Sequence, residues 1–233
     1  MNQINFVNEL EKRGIDCSKE QVTLLYEFME HVLETNEKFN LTAIKDQESF
    51  VEKMLFDSAI ILANQDFSNQ TIVDIGAGAG FPSVVIAILS PSTHVIAIDS
   101  TFKKVEFIKS FAEKYRLNLE AVCARAEEYA SSHRESYDYV TARAVASLRV
   151  LVELAIPMLK VGGHLIAMKG PGFEQEIDEA QGALKKLNSQ IYYLYEDQLP
   201  ESKENRSFIY IKKNKETPKK YPRTFGEIKN KPL

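Results

Sequence analysis

The sequence of 233 residues contains no tryptophan, only two cysteines and only four histidines. Cys17 and Cys123 stand about a hundred positions apart, which suits neither a disulfide framework nor a zinc knuckle. The histidines are scattered without metal-ligand spacing, so no metal is expected. No apolar run approaches the ~20 residues that cross a bilayer. The opening Met1-Asn2-Gln3-Ile4-Asn5 lacks the basic-then-apolar order of a secretory signal. These absences argue against a disulfide-stapled, metal-centred or membrane-spanning protein. A soluble monomer in a reducing cytoplasm is the expectation.

Charge is modest overall, −4, and unevenly spread. Residues 203–233 carry ten Lys/Arg against three Asp/Glu, whereas the preceding 202 residues carry 19 against 30. That balance argues against a polyanion-binding surface over the whole molecule. It leaves two readings of the C-terminus: a patch that touches phosphates, or a solvated lysine-rich strand and tail.

What is present divides into two textures. Ser18-Lys19-Glu20-Gln21 has the form of a capping box, and behind it Val22, Leu25, Phe28, Met29, Val32 and Leu33 recur at helical spacing. A second amphipathic stretch begins near Asp46 and carries Phe50, Met54, Leu55, Ala59, Ile60 and Leu62. Beyond Asn69, short β-branched runs alternate with helical segments. Strands are expected at Thr71–Ile75, His94–Ile98, Leu119–Cys123, Tyr137–Thr141 and Gly163–Met168. Helices are expected at Pro82–Leu89, Thr101–Tyr115, Leu148–Leu159 and Phe173–Leu187. Two further strands, Gln190–Tyr195 and Ser207–Ile211, have no helix between them and so can pair only antiparallel. The predicted fold is α/β and Rossmann-like, a mostly parallel sheet ending in an antiparallel hairpin. Residues 1–66 form an N-terminal helical cap, 67–214 the α/β domain, and 215–233 a basic tail packed on it or extending from it.

Between the first strand and the helix at Pro82 lies Asp74-Ile75-Gly76-Ala77-Gly78-Ala79-Gly80. Glycine at such a junction lets a ligand approach bare backbone. The dinucleotide fingerprint G-x-G-x-x-G places its third glycine one residue later, to bring pyrophosphate to the helix. Here the third glycine comes early and an acid precedes the turn. Asp74 would repel a pyrophosphate but could hold a cationic amino group, directly or through water. S-adenosyl-L-methionine carries such a group and no phosphate. Asp99, at the end of the second strand, can accept both ribose hydroxyls, although an aspartate there can also cap the following helix. Arg125-Ala126-Glu127 follows the third strand, where related folds grip adenine. Arg143 follows the fourth among small residues, either at the reacting site or paired with Asp138 or Glu127 as a brace.

The same inventory limits the chemistry. Asp-Pro-Pro-Tyr motifs, typical of exocyclic-amine methylation, are absent. Pyrimidine-carbon methylation uses a cysteine nucleophile, yet Cys123 ends a strand as a buried small residue would, and Cys17 lies in the cap. Transfer to an atom with a free lone pair remains, purine N7 being one, with catalysis mainly by orientation. Lys169 and Arg143 are candidate donors to a guanine edge or a nearby phosphate, while a structural role for Lys169 stays open.

Taken together, these segments resemble the RsmG (glucose-inhibited division protein B) methyltransferases. The match includes Asn40-Leu41-Thr42-Ala43-Ile44, Asp57-Ser58, the glycine turn through Phe81-Pro82, Thr141-Ala142-Arg143-Ala144-Val145-Ala146 and Pro218-Lys219-Lys220-Tyr221-Pro222-Arg223. Met54 stands where members often have histidine, and Thr35 where they often have tryptophan, so no role for that histidine is carried over. The resemblance implies methylation of guanine N7 in the decoding region of 16S ribosomal RNA, the acceptor presented as a ribosomal particle. A small-molecule or protein acceptor is the alternative. It further implies cofactor contacts at Gly76, Phe81, Ala126, Glu127 and Arg143, which join Asp74, Gly78, Gly80 and Asp99 read from the turn and the strand end. On this reading Arg143 and Lys169 serve catalysis, and Lys212, Lys213, Lys215, Lys219, Lys220 and Arg223 meet phosphates.

Overall fold

The computed structural model describes residues 1–233. Helices α1 (Gln3–Glu11) and α2 (Lys19–Asn36) begin the chain. The capping box of α2 forms as expected: Gln21 N–H donates to Ser18 Oγ, and Ser18 N–H to Gln21 Oε1. After α3 (Gln47–Phe50) the backbone widens into a π-helical turn, Val51–Phe56, then tightens through α4 (Asp57–Ala59) and a 3₁₀ turn, Ile60–Ala63. Such π turns are rare and often mark functional sites.

From Thr71 the chain alternates: β1 (Thr71–Ile75), α5 (Ser83–Leu89), β2 (His94–Asp99), α6 (Phe102–Tyr115), β3 (Leu119–Cys123), α7 (Ala126–Ser132) and β4 (Tyr137–Arg143). Then follow α8 (Leu148–Ala155), β5 (Leu159–Lys169), α9 (Phe173–Lys186), β6 (Ser189–Gln198), β7 (Asn205–Lys213) and α10 (Phe225–Asn230). The strand order is β3-β2-β1-β4-β5-β7-β6. Strands β1 to β5 run parallel, and β7 is antiparallel to both β5 and β6. The sheet is therefore the doubly wound α/β arrangement with an antiparallel hairpin at one edge. Neither α7 nor α10 was expected, because each is short and less than half apolar.

Successive residues of a strand face opposite sides. Ile72, Val95, Ala97 and Ile166 join one core with α2, the π turn, α5 and α6. Val73, Ile96, Ile98 and Leu165 join the other with α8 and α9. Phe28, Phe50 and Phe56 of the cap are fully buried in the first of these cores, so the cap shares its core with the sheet across residue 66. The strand order turns back between β1 and β4, which opens a crevice above Ile75-Gly76 and Arg143-Ala144. Ligands of doubly wound sheets bind at such a switch point. Cys123 corrects the expectation of burial: it ends β3, the edge strand, and is exposed.

Candidate active site

The glycine turn is built from backbone. Gly76 and Ala77 N–H groups both donate to Ile98 O, at 2.8 and 3.0 Å, which ties the end of β1 to that of β2. Gly78 N–H donates to Asp99 Oδ2 at 3.1 Å. Gly76 has φ +70°, and a Cβ there would lie 2.7 Å from Val145 Cγ2, so both its dihedral and its neighbour require glycine. Gly80 plays a different part from the one expected. A Cβ on it would meet Val84 at 2.7 Å and Phe28 at 3.0 Å, so it packs the turn onto the cap and lies away from the ligand crevice.

Two cavities open at the crevice. The first, about 330 Å³, is lined by Gly76, Asp99, Ala126 and Glu127 among mainly apolar neighbours, including Ile75 and Ile98. Asp99 Oδ1 accepts from Thr101 N–H at 2.8 Å and Oδ2 from Gly78 N–H. Each carboxylate oxygen keeps a lone pair for a further donor. An apolar slot beside a carboxylate with acceptor capacity to spare suits a flat apolar group next to hydroxyl donors.

The second cavity, about 710 Å³, is lined by Lys53, Asp57, Arg143, Lys169 and Arg206. Val145 and Ala146 line both cavities, so one short loop forms the wall between them. That loop begins at Ala144, whose φ of +54° is unusual for a residue with a side chain. Such dihedrals persist only where the surroundings hold them, and they cluster at functional sites.

Arg143 crosses the floor of the second cavity. Its Nη1 lies 3.2 Å from Lys53 O and 3.7 Å from Asp57 Oδ2, and Nη2 lies 3.4 Å from Met54 Sδ. The guanidinium rests 5.5 Å above the ring of Phe81. Neither Asp138 nor Glu127, the partners weighed from sequence, pairs with it. Asp138 is engaged by Lys160 and Thr71 N–H instead. Asp57 also takes Arg206 Nε at 3.0 Å on its other oxygen, and Arg206 continues to Glu204 and Glu204 to Lys53. Burial raises the Asp57 carboxyl, with the two arginines opposing. Burial also lowers Arg143, opposed by Asp57 and Asp74. A guanidinium stays charged throughout.

Of the two modes expected of Asp74, a hold on an amino group directly or through water, the direct one finds no open surface. It is fully buried and lines neither cavity. Ser83 N–H donates to its Oδ2 and Thr141 Oγ1 to its Oδ1, both at 3.2 Å, so Asp74 knits β1, β4 and the start of α5 behind the turn. Burial pushes its carboxyl up to about 7, against the hydrogen bonds from Ser83 and Thr141. Phe81 is likewise buried, against Phe28 and Phe50.

Lys169 is held rather than free. Its Nζ donates to Ala146 O and Glu176 Oε2, both at 2.6 Å, and Glu176 also accepts from Leu148 N–H. The ammonium thus ties down the loop between the cavities.

The C-terminal cations expected to meet phosphates are not gathered at this crevice. Lys213 is fully buried, its Nζ bonded to Glu135, Ile156 O and Leu159 O, so it is withdrawn as a surface phosphate contact. Arg223 is committed to the buried carboxylate of Glu153. Lys212 lies over the ring of Tyr192, and Lys220 over that of Tyr221. Lys219 and Lys220 are exposed, in a segment whose Thr217 N–H and O bind Glu135 and Arg134, just before β4 starts. Arg143 ends that strand, so roughly 20 Å of strand separates the two groups at ~3.3 Å per residue. Asp57, Lys53 and Arg206 were missed as site residues. Only Asp57 carried a sequence signal, through its Asp57-Ser58 segment. No group of three or more His, Cys, Asp or Glu residues could hold a metal ion, and no helix is long and apolar enough to cross a membrane.

The profile of the family described as rRNA small subunit methyltransferase G matches residues 21–204. A Lysinibacillus sphaericus protein named ribosomal RNA small subunit methyltransferase G is 41% identical over 237 residues, covering 100% of both chains. One of the same name from Halalkalibacterium halodurans is 42% identical over 237 residues, again covering 100% of both. Among solved structures, M. jannaschii TYW2 in complex with AdoMet shares the fold at 13% identity, with a TM-score of 0.58 over 75% of this chain and 80% of that one.

Proposed function

The chain belongs to the rRNA small subunit methyltransferase G family, and from that premise we propose that it methylates guanine N7 of 16S rRNA with the base seated in the Arg143 cavity. It is an S-adenosyl-L-methionine-dependent enzyme acting on small-subunit rRNA, and family membership disfavours a small-molecule or protein acceptor. The observation that carries the finer reading is the pair of cavities meeting at Val145-Ala146. One fits a nucleoside, and the other is rimmed by cations.

Asp99 would hold the ribose, Ala126 and Glu127 the adenine edge, and the backbone of Gly76 and Gly78 the approach beside them. When bound, adenosylmethionine supplies an electrophilic methyl on a sulfonium. This chain's second cavity would hold the N7 lone pair of guanine toward that carbon. No proton need be removed beforehand, so no general base is required, in keeping with a site that presents arginine and lysine rather than a free carboxylate or histidine. Arg143 orients the acceptor by donating to O6 or an adjoining phosphate, and Asp57 fixes its direction. Orientation of two bound reactants supplies up to ~7–11 kcal/mol in favourable cases. Lys169 acts through Ala146, as a positioning residue. Lys212, Lys219 and Lys220 meet phosphates of rRNA segments well away from the reacting base, which suits a folded ribosomal particle in the cytoplasm, approached by a monomeric enzyme.

The direct test is deletion of the gene followed by borohydride reduction and aniline cleavage of 16S rRNA, which cuts at N7-methylguanosine. Loss of one cleavage product supports the assignment, and an unchanged pattern refutes it.

A further inference from the structure

The C-terminal segment returns to the ligand crevice at its last helix. Phe225 and Lys229, four residues apart on one face of α10, both line the first cavity beside Asp99 and Ala126. Phe225 is 38% exposed, and the guanidinium of Arg125, itself a lining residue, stands 5.7 Å from its ring centre.

The placement of α10 is over-determined. Arg223 binds the fully buried Glu153 of α8 through its backbone N–H at 3.0 Å and its side chain at 2.8 and 2.6 Å. Arg149, also on α8, donates to Pro232 O at 2.7 Å and Leu233 O at 2.6 Å, and Ile228 is fully buried between these ties. The helix is thus clamped on both sides, yet it leaves a phenyl ring at the rim of an apolar slot. These restraints hold a phenyl face, 38% exposed, where a flat ligand in the slot can cover it. Aromatic and guanidinium faces stack on heteroaromatic rings.

We propose that Phe225 is the adenine-stacking wall of the cofactor site, with Lys229 donating a hydrogen bond at its mouth. The C-terminal helix then belongs to adenosylmethionine binding rather than to RNA binding. The proposal rests on the first cavity being the adenosylmethionine site.

Calorimetric titration of adenosylmethionine into the wild type, Phe225→Ala, Phe225→Tyr and Asp99→Ala tests it. Phe225→Ala is expected to bind about tenfold more weakly, the scale of one aromatic–base stack. Phe225→Tyr keeps the ring and is expected to stay within about twofold of wild type. The same loss for Phe225→Ala is expected with 5′-methylthioadenosine, which has the adenosine end and lacks the amino acid. Wild-type affinity in Phe225→Ala, with Asp99→Ala weakened, overturns the stacking role and leaves the cavity assignment standing. Wild-type affinity in both variants overturns the cavity assignment as well. An equal loss in Phe225→Tyr and Phe225→Ala also overturns the stacking role, since the aromatic face would then be irrelevant.

Discussion

Arg143 is held by Lys53 O, Met54 Sδ and Asp57, which lie some ninety residues earlier in the chain. Removing its side chain leaves Asp57 in an ion pair with Arg206, whose Nε lies 3.0 Å from Oδ1. Arg143→Ala is therefore expected to keep its melting temperature within a few degrees. Methyl transfer to ribosomal subunits should fall at least ~100-fold, the usual effect of losing a preorganised donor. Near-wild-type turnover in a tritium-transfer assay would refute its role. At Asp99 the loss should appear in binding instead. A charge-assisted acceptor is worth roughly 1.5–3 kcal/mol, so Asp99→Ala should weaken adenosylmethionine about ten- to a hundredfold by calorimetry. Asp74 bears on stability. Its carboxyl titrates near 7 in the folded chain against about 3.9 in an unfolded one. Between those values the folded state keeps a proton that the unfolded state has lost. Stability therefore declines as pH rises through that window and levels off above it. Asp74→Asn should flatten the decline, measured as the difference between wild-type and variant urea midpoints at pH 5 and pH 8. Parallel curves for the two proteins would contradict it.

Among elements, the π turn Val51–Phe56 and the loop after β4 do the positioning. The wide turn brings Lys53 O and Met54 Sδ to one guanidinium. Its Glu52 accepts from Glu201 and Ser202 N–H, which docks the β6–β7 connection onto the cap. Lys169 fixes the opposite wall through Ala146 O. Lys169→Met should lower kcat for ribosomal subunits while leaving KM nearly unchanged, and Lys169→Arg should restore part of the rate. A change in KM alone would indicate a substrate contact instead. Strand β7 delivers its cations to different fates: Arg206 at one end reaches the second cavity, whereas Lys213 at the other is buried. Lys213→Met breaks a pair whose lysine is enclosed but whose Glu135 keeps some contact with solvent. The loss in urea denaturation should approach the roughly 3 kcal/mol of a broken buried pair. RNA affinity of the remaining folded protein should be unchanged. A stable variant with weakened RNA binding would restore Lys213 as a surface contact.

Across the whole molecule, the catalytic part is net acidic and the basic excess lies in residues 203–233. Three of its ten cations, Arg206, Lys213 and Arg223, are spent internally, on Asp57, Glu135 and Glu153. The seven that remain sit beside a net charge of −11 over the preceding 202 residues, which opposes the approach of an extended polyanion, and phosphate neutralisation dominates non-specific affinity. Free 16S rRNA should accordingly be a poor acceptor beside the assembled small subunit. Initial rates on the two at matched salt would show it, and equal rates would count against a particle substrate.

The periodic segments declared themselves locally. β1, β3 and the capping box of α2 follow from patterns a few residues long, and the doubly wound sheet follows from their alternation. The glycine turn was legible for the same reason, because its chemistry is backbone chemistry: Gly76 needs its φ of +70° whatever packs around it. Asp99 could be read because strand ends in such sheets all open onto one edge. Partnership, by contrast, belongs to the tertiary structure. Nothing near Arg143 in sequence names Asp57, nothing near Lys213 announces Glu135, and nothing in the tail says that Phe225 returns to the first cavity. A short-range pattern specifies an element and its buried face. Which charges meet, and which of them still face water, is decided only when folding brings segments some 80 to 150 residues apart into one low-dielectric interior.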